Sequence, residues 1–239
     1  MILVATPTGA YEVVTVQDGG TITGTVKFVG ALPKLGPTPV TKSRDVCGER
    51  KVSEALVLSA AKGVKGGVVL IEGVARGKKG GGEVVLDNSQ CVFVSHVTAA
   101  GFKDRVSIRN SDPILHNTHG FRGTPTAFNV ALPTKGQMIE VTKYLKSPGV
   151  IRVLCDAHPH MSAWLIVHDS PYFAVTDDAG TFSITDVPPG TYKITMWHAG
   201  FRPKGAGKDG RQTYDEPRTV RREVTVAPKA AATVDFELK

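Results

Sequence analysis

Amphipathic helical periodicity is almost missing from this chain; only Val52 to Ala61 and Val141 to Lys146 could form a helical turn or two. That scarcity excludes the helical classes, and 26 Gly, 15 Pro and many short Val/Ile/Thr runs give an all-β expectation instead. No stretch approaches the roughly 20 apolar residues needed to cross a bilayer, so no membrane span is expected. Met1 to Ala5 is too short for a signal peptide and lacks its basic flank. A nucleotide loop is missing as well, because Gly77 to Gly82 has neither a following helix start nor a Lys-Ser/Thr pair. Paired carboxylates, a Ser/His/Asp arrangement and internal repeats are not evident, so no enzymatic activity is expected. The formal charge of +7 favours acidic partners. Nucleic acid is not the expected one, since Lys and Arg are scattered and no recognition motif accompanies them.

What the chain does carry is Val153-Leu-Cys-Asp-Ala-His-Pro-His-Met161. Ile151 to Leu154 reads as a buried strand and Ala163 to Val167 as the next apolar run. The loop between them therefore holds a thiol at Cys155, an imidazole at His158 and a thioether at Met161. Three soft donors at that spacing suggest copper. One short loop cannot enclose an ion, so a second imidazole is needed from another strand end. Ile108 to Phe121 supplies it: a strand over Asp104 to Ile108 runs into the turn residues Asn110, Ser111, Asp112 and Pro113, then reaches His116, Asn117 and His119. Two His, one Cys and a weak axial Met make the type 1, electron-transferring copper pattern. Zinc fits less well, since its structural sites usually hold two or more cysteines. Without a metal, the same residues would be a buried thiol beside a satisfied histidine.

The spacing Cys155-x2-His158-x2-Met161, together with His116-Asn-Thr-His119, resembles the cupredoxins, most of all those of the amicyanin type and more distantly plastocyanin. That resemblance implies one mononuclear type 1 copper held by His116, Cys155, His158 and Met161. Asn117 would place its backbone N–H near the Cys155 sulfur. His158 would be the solvent-facing edge for electrons, with His116 buried. His119 corresponds to a histidine that is not a ligand in that family. His96, one strand upstream of His116, is a second candidate that would make the site richer in histidine if it reached the metal. His160 is expected to be exposed, and His168 and His198 to be structural or solvated.

The flanks carry another resemblance. The strand Thr21 to Val26, the turn Thr176-Asp-Asp-Ala-Gly-Thr-Phe182 and Val187-Pro-Pro-Gly-Thr-Tyr192 resemble the carboxypeptidase regulatory-like, or transthyretin-like, β-sandwich. Its two halves lie on either side of the copper motifs. The expected architecture is therefore two β-sandwiches, with a Greek-key cupredoxin over residues 83–169 inserted between host halves at 12–80 and 170–239. Ala75 to Gly82 is expected as a flexible basic linker. With Cys155 assigned to metal, Cys47 and Cys91 are either two reduced thiols or a bridge. The export usual among cupredoxins favours the bridge and a periplasmic or extracellular location, with Met1 as a processed or artificial start. Such a bridge would pin host to insert. The basic residues Arg202, Lys204, Lys208, Arg211, Arg218, Arg221 and Arg222 are expected as a solvated face or a docking surface.

Function then follows as an expectation: a carrier of single electrons between redox partners or within a larger assembly. Its partner would be a redox protein with an acidic docking face, such as a c-type cytochrome or an oxidoreductase. The alternatives are a copper-binding or delivery protein, and a structural β module with incidental metal.

Overall fold

The computed structural model describes residues 11–207 and 209–239, so the Met1 to Ala5 start and Lys208 lie outside the described residues. The chain is all-β and folds as two sandwiches. In the first, one sheet orders its strands Val92–Val94, Glu83–Ser89, Arg105–Asn110 and Met138–Glu140. Facing it is a sheet ordered Val97–Gly101, Ser162–His168, Gly149–Leu154, His116–Phe121 and Thr126–Leu132. Leu86, Phe93, Ile108, Phe128, Ile151 and Leu165 fill the space between them, each nearly or wholly shielded from solvent.

The second sandwich is built from both ends of the chain. One sheet runs Phe173–Val175, Val68–Ile71, Gly190–His198 and Arg218–Val226; the other runs Thr181–Val187, Gly20–Phe28 and Ala231–Thr233, with Phe236–Leu238 also pairing to Gly20–Phe28. Period-2 alternation explains the Gly20–Phe28 strand, because Ile22, Val26 and Phe28 point inward and are buried. Gly24 shares that face, and a Cβ there would lie 1.9 Å from the Val234 carbonyl oxygen, so only glycine lets the two backbones approach. Neither end closes this core alone: Ile22, Val69 and Ile71 pack with Phe182, Ile194 and Phe236. A smaller cluster of Val68, Val97, Ile166, Trp197 and Ala199 joins the two sandwiches, with the Trp164 and Trp197 rings edge to face at 5.5 Å. Among the described residues, no helix is long and apolar enough to cross a membrane.

Several local expectations are corrected. Val52 to Ala61 is not helical; Val57–Leu58 pairs antiparallel with Val64–Lys65, which satisfies backbone groups that an uncapped helical turn would leave open. Val92–Val94 and Val97–Gly101, only two residues apart, belong to different sheets. The stretch before Gly82 is not a free linker: Arg76–Gly77 pairs with Glu12–Val13. Cys47 and Cys91 are disulfide-bonded, with Cα atoms 5.4 Å apart. Both sit in the core of the first sandwich together with Val40, so the bridge ties a segment of the N-terminal region onto that sandwich.

Candidate metal centre

Strand pairing brings the two distant motifs to one end of the first sandwich. His116–Phe121 and Gly149–Leu154 run antiparallel, with His119 opposite Leu154 and Gly120 opposite Val153. Following that register one step further carries Cys155 toward the start of the His116 strand. Alternation along His116–Phe121 buries His116, Thr118 and Gly120 while the residues between them are half-buried. His116 and His119, an odd number of positions apart, therefore point to opposite faces.

After Leu154 the chain leaves the sheet and folds back on itself. The Met161 N–H donates to the His158 carbonyl at 3.0 Å, and the Cys155 N–H reaches the Met161 carbonyl at 3.4 Å. This closure turns the His158 ring inward. The His116 Nδ1 lies 3.9 Å and the His158 Nδ1 3.6 Å from the Cys155 Sγ. All three donor atoms fall within 4.8 Å of one another. Metal bonds of about 2.3 Å to sulfur and about 2.0 Å to nitrogen, opened at a trigonal angle, span roughly 3.7 Å, so an ion fits between these donors. The set is buried, His116 and Cys155 at 0% exposure and His158 at 3%. Met161, 1% exposed, packs in the same core. Cys91, Asp112 and His116 also come within that distance, but the Cys91 sulfur is bonded to Cys47 and is no thiolate.

Each imidazole is anchored at its other nitrogen. The His116 Nε2 lies 2.9 Å from Asp112 Oδ2, and Asp112 is itself fixed by the Gln90 and Cys91 N–H groups at 2.7 Å each. The His158 Nε2 lies 3.1 Å from the Ser43 Oγ. Such partners orient a ligand ring and select its tautomer. Asn117 acts through its side chain as well: its Oδ1 accepts from the N–H groups of Asp156 at 2.7 Å and Ala157 at 3.1 Å, stiffening the loop beside the sulfur.

Burial dominates the electrostatics. It pushes the Cys155 thiol upward, against the pull of the Asn117, His158 and Ala157 N–H groups and the Arg211 charge. His116 is lowered by burial, opposed by Asp112. His158 is pushed down to about 4 by burial, then by the neighbouring His116 and His160. Neutral imidazoles offer a lone pair without first losing a proton, which suits metal binding.

The other histidines stand apart from this cluster. His119 is held by Asp156 and Thr126 on the outer face, at 2.9 and 2.8 Å. The His96 Nδ1 bonds the Ser162 carbonyl at 2.9 Å. His168 and His198 are buried on the Ile71 and Ala199 carbonyls. Two expectations fail: His160 is half-buried, bonded to the Cys91 carbonyl, and His158 is covered rather than solvent-facing. The segment carrying Ser43 lies over it, stapled by the Cys47–Cys91 bond. Sequence reading missed Ser43, Asp112 and Arg211. Only Asp112 carried a local signal, standing four residues before His116 in a turn already recognised.

Comparison with known proteins accounts for part of the chain. No curated protein sequence matches it. Among solved structures, a methionine-to-alanine mutant of amicyanin in the Cu(I) state aligns at a TM-score of 0.32 and 20% identity, covering 36% of this chain and 82% of that one. The copper-containing nitrite reductase of Thermus scotoductus SA-01 aligns at 0.32 and 19%, covering 36% of this chain and 22% of that one. At such scores neither likeness bears on function. Residues 163–239, which supply much of the second sandwich, match the family model of the Carboxypeptidase regulatory-like domain.

Proposed function

We propose that this chain is an exported copper protein of cupredoxin type that carries single electrons between redox partners or within a larger redox assembly. The observation that supports this reading best is the convergence of the Cys155 Sγ with the Nδ1 atoms of His116 and His158 in a buried pocket. His116, Cys155 and His158 would hold the ion, with the Met161 thioether, buried in the same core, as a further weak donor. Copper bound there would supply a one-electron Cu(II)/Cu(I) couple. Asp112 and Ser43 keep the two rings in place, and the Asn117 side chain keeps the loop from shifting. A donor set that barely moves lowers the reorganisation each electron transfer requires.

Burial of the donors at 0–3% exposure leaves little room for a substrate and favours a carrier over an enzyme. It also favours a carrier over a delivery protein, which must release its ion. The disulfide fits an oxidising compartment, periplasmic or extracellular. A redox protein with an acidic face, such as a c-type cytochrome or an oxidoreductase, suits the charge of +7. Because His158 is covered, such a partner would approach across the turn that carries Ser43.

Titration with Cu(II) tests the reading. One equivalent should produce an intense visible band from sulfur-to-copper charge transfer, lost in Cys155→Ser, together with a reversible one-electron wave. A colourless complex, or tight Cu(I) binding without a wave, would overturn it.

A further inference from the structure

The loop that bears Cys155, His158 and Met161 is held by a side chain from a two-stranded hairpin that the other sandwich sends out between its strands Gly190–His198 and Arg218–Val226. Arg211 lies just before the short strand Gln212–Tyr214, which pairs with Pro203–Ala206. Its Nη1 donates to the Pro159 and Met161 carbonyls at 3.0 Å each, and its Nη2 donates to the Cys155 carbonyl. Asp209 orients the fork, its Oδ2 accepting from the Arg211 Nε at 2.9 Å. The side chain is 11% exposed. One guanidinium thus gathers the carbonyls at both ends of the loop.

We infer that Arg211 is a positioning residue for the metal centre, so that the second sandwich sets the spacing of Cys155 and Met161 and the site is complete only when the two sandwiches are packed together. Geometry alone carries this. The loop has two backbone closures of its own, one of them long at 3.4 Å, and Arg211 adds three more bonds across the same gap. A planar, permanently charged fork presents donors on three nitrogens at fixed, separated positions and so reaches the Asp209 carboxylate and three carbonyls together; an ammonium has its three donors on one nitrogen and cannot span the same positions. Removing it would take the Arg211 donor from the Pro159 and Cys155 carbonyls and leave the Met161 carbonyl with only the long Cys155 N–H contact, which favours opening of the loop. The positive charge also lies beside the sulfur end of the loop, where it favours the more negative form of the centre and thus Cu(I) over Cu(II) with an unchanged ligand set.

The metal-dependent half of this inference rests on the copper reading, and the loop-restraint half does not. Arg211→Lys and Arg211→Met separate fork from charge. In metal-free protein, amide hydrogen exchange at Asp156, Ala157 and Met161 should speed up tenfold or more in both variants, while exchange in strand Gly20–Phe28 of the second sandwich stays as in the parent. In copper-loaded protein both variants should lose metal to a chelator at least tenfold faster, and Arg211→Met should also have the lower reduction potential of the two. Should Arg211→Met fold poorly, Asp209→Asn leaves the arginine present and should give a smaller effect of the same sign. Exchange rates at the three loop amides equal to the parent's in Arg211→Met would overturn the inference whatever copper does. Absence of a copper band in the parent would sink the functional reading and leave the exchange result standing.

Discussion

Ser43 covers His158: its Oγ lies 3.1 Å from the Nε2 of a ring that is 3% exposed, although 115 residues separate the two in the chain. Four residues after Ser43, Cys47 is bonded to Cys91 inside the first core. The cover is therefore a covalently pinned strap, and its hold on His158 depends on the disulfide. A bridge separated by 44 residues removes chain entropy worth about 4 kcal/mol from the unfolded state. Replacing both Cys47 and Cys91 by Ala should lower the melting temperature of the metal-free protein by about 8–16 °C, at roughly 2–4 °C per kcal/mol for a chain of this size. Diethylpyrocarbonate should then modify His158, which is protected in the parent. Continued protection of His158 would mean that the strap stays closed without its staple.

Asp112 offers a separate test of how the site is held. Its carboxylate meets the His116 Nε2 and the Gln90 and Cys91 N–H groups, all at 2.7–2.9 Å. Asparagine keeps the shape but points an N–H at one of those donors and removes the charge that makes His116 more basic. Asp112→Asn should weaken copper binding about 10- to 100-fold, the usual cost of losing such a partner. Competition against a chromophoric chelator measures it. An affinity within twofold of the parent's would show that the carboxylate merely ties down the loop at Gln90.

The two histidines of the 116–121 strand should separate cleanly. His116→Gln removes a donor of the convergent set and should abolish the visible band. His119→Gln replaces a ring bonded to Asp156 and Thr126 on the opposite face, so the band should persist at unchanged stoichiometry. If the two variants lose the band alike, the assignment by strand face is wrong.

That distinction marks where the sequence is readable. The strand signal of Thr21 to Val26, and the turn residues Asp177 and Gly180, disclosed a strand and a turn because those signals are local. The convergence of His116, Cys155 and His158 was legible for a related reason: Cys155 and His158 share one loop, and His116 follows a recognisable turn. Burial of His158 was not legible, because its cover comes from a segment far away in the chain, whose place is fixed by a disulfide and by Val40 packing into the same core as Cys155 and Met161. Arg211 was counted only among surface charges; its three carbonyl partners exist because two sandwiches pack together, and no periodicity encodes that. Val52 to Ala61 misled for the opposite reason, since a weak local helical pattern lost to pairing with Val64–Lys65.

His96 governs the last prediction. Its Nδ1 bonds the Ser162 carbonyl, and burial pushes its pKa down from 6.5 to about 4. Between those values the unfolded chain binds a proton that the folded chain refuses, so stability is full above pH 6.5 and falls as the pH drops toward 4. At about 1.4 kcal/mol per unit the loss from this residue reaches up to about 3 kcal/mol. Glutamine at this position does not titrate and can still donate to the Ser162 carbonyl. Urea midpoints of metal-free protein at pH 7.5 and pH 4.5 should therefore lie closer together in His96→Gln than in the parent. His158 and His160, both pushed down to about 4, keep a residual slope in either protein. Equal differences between the two pH values in parent and variant would mean that His96 takes up its proton in the folded state as readily as in the unfolded chain.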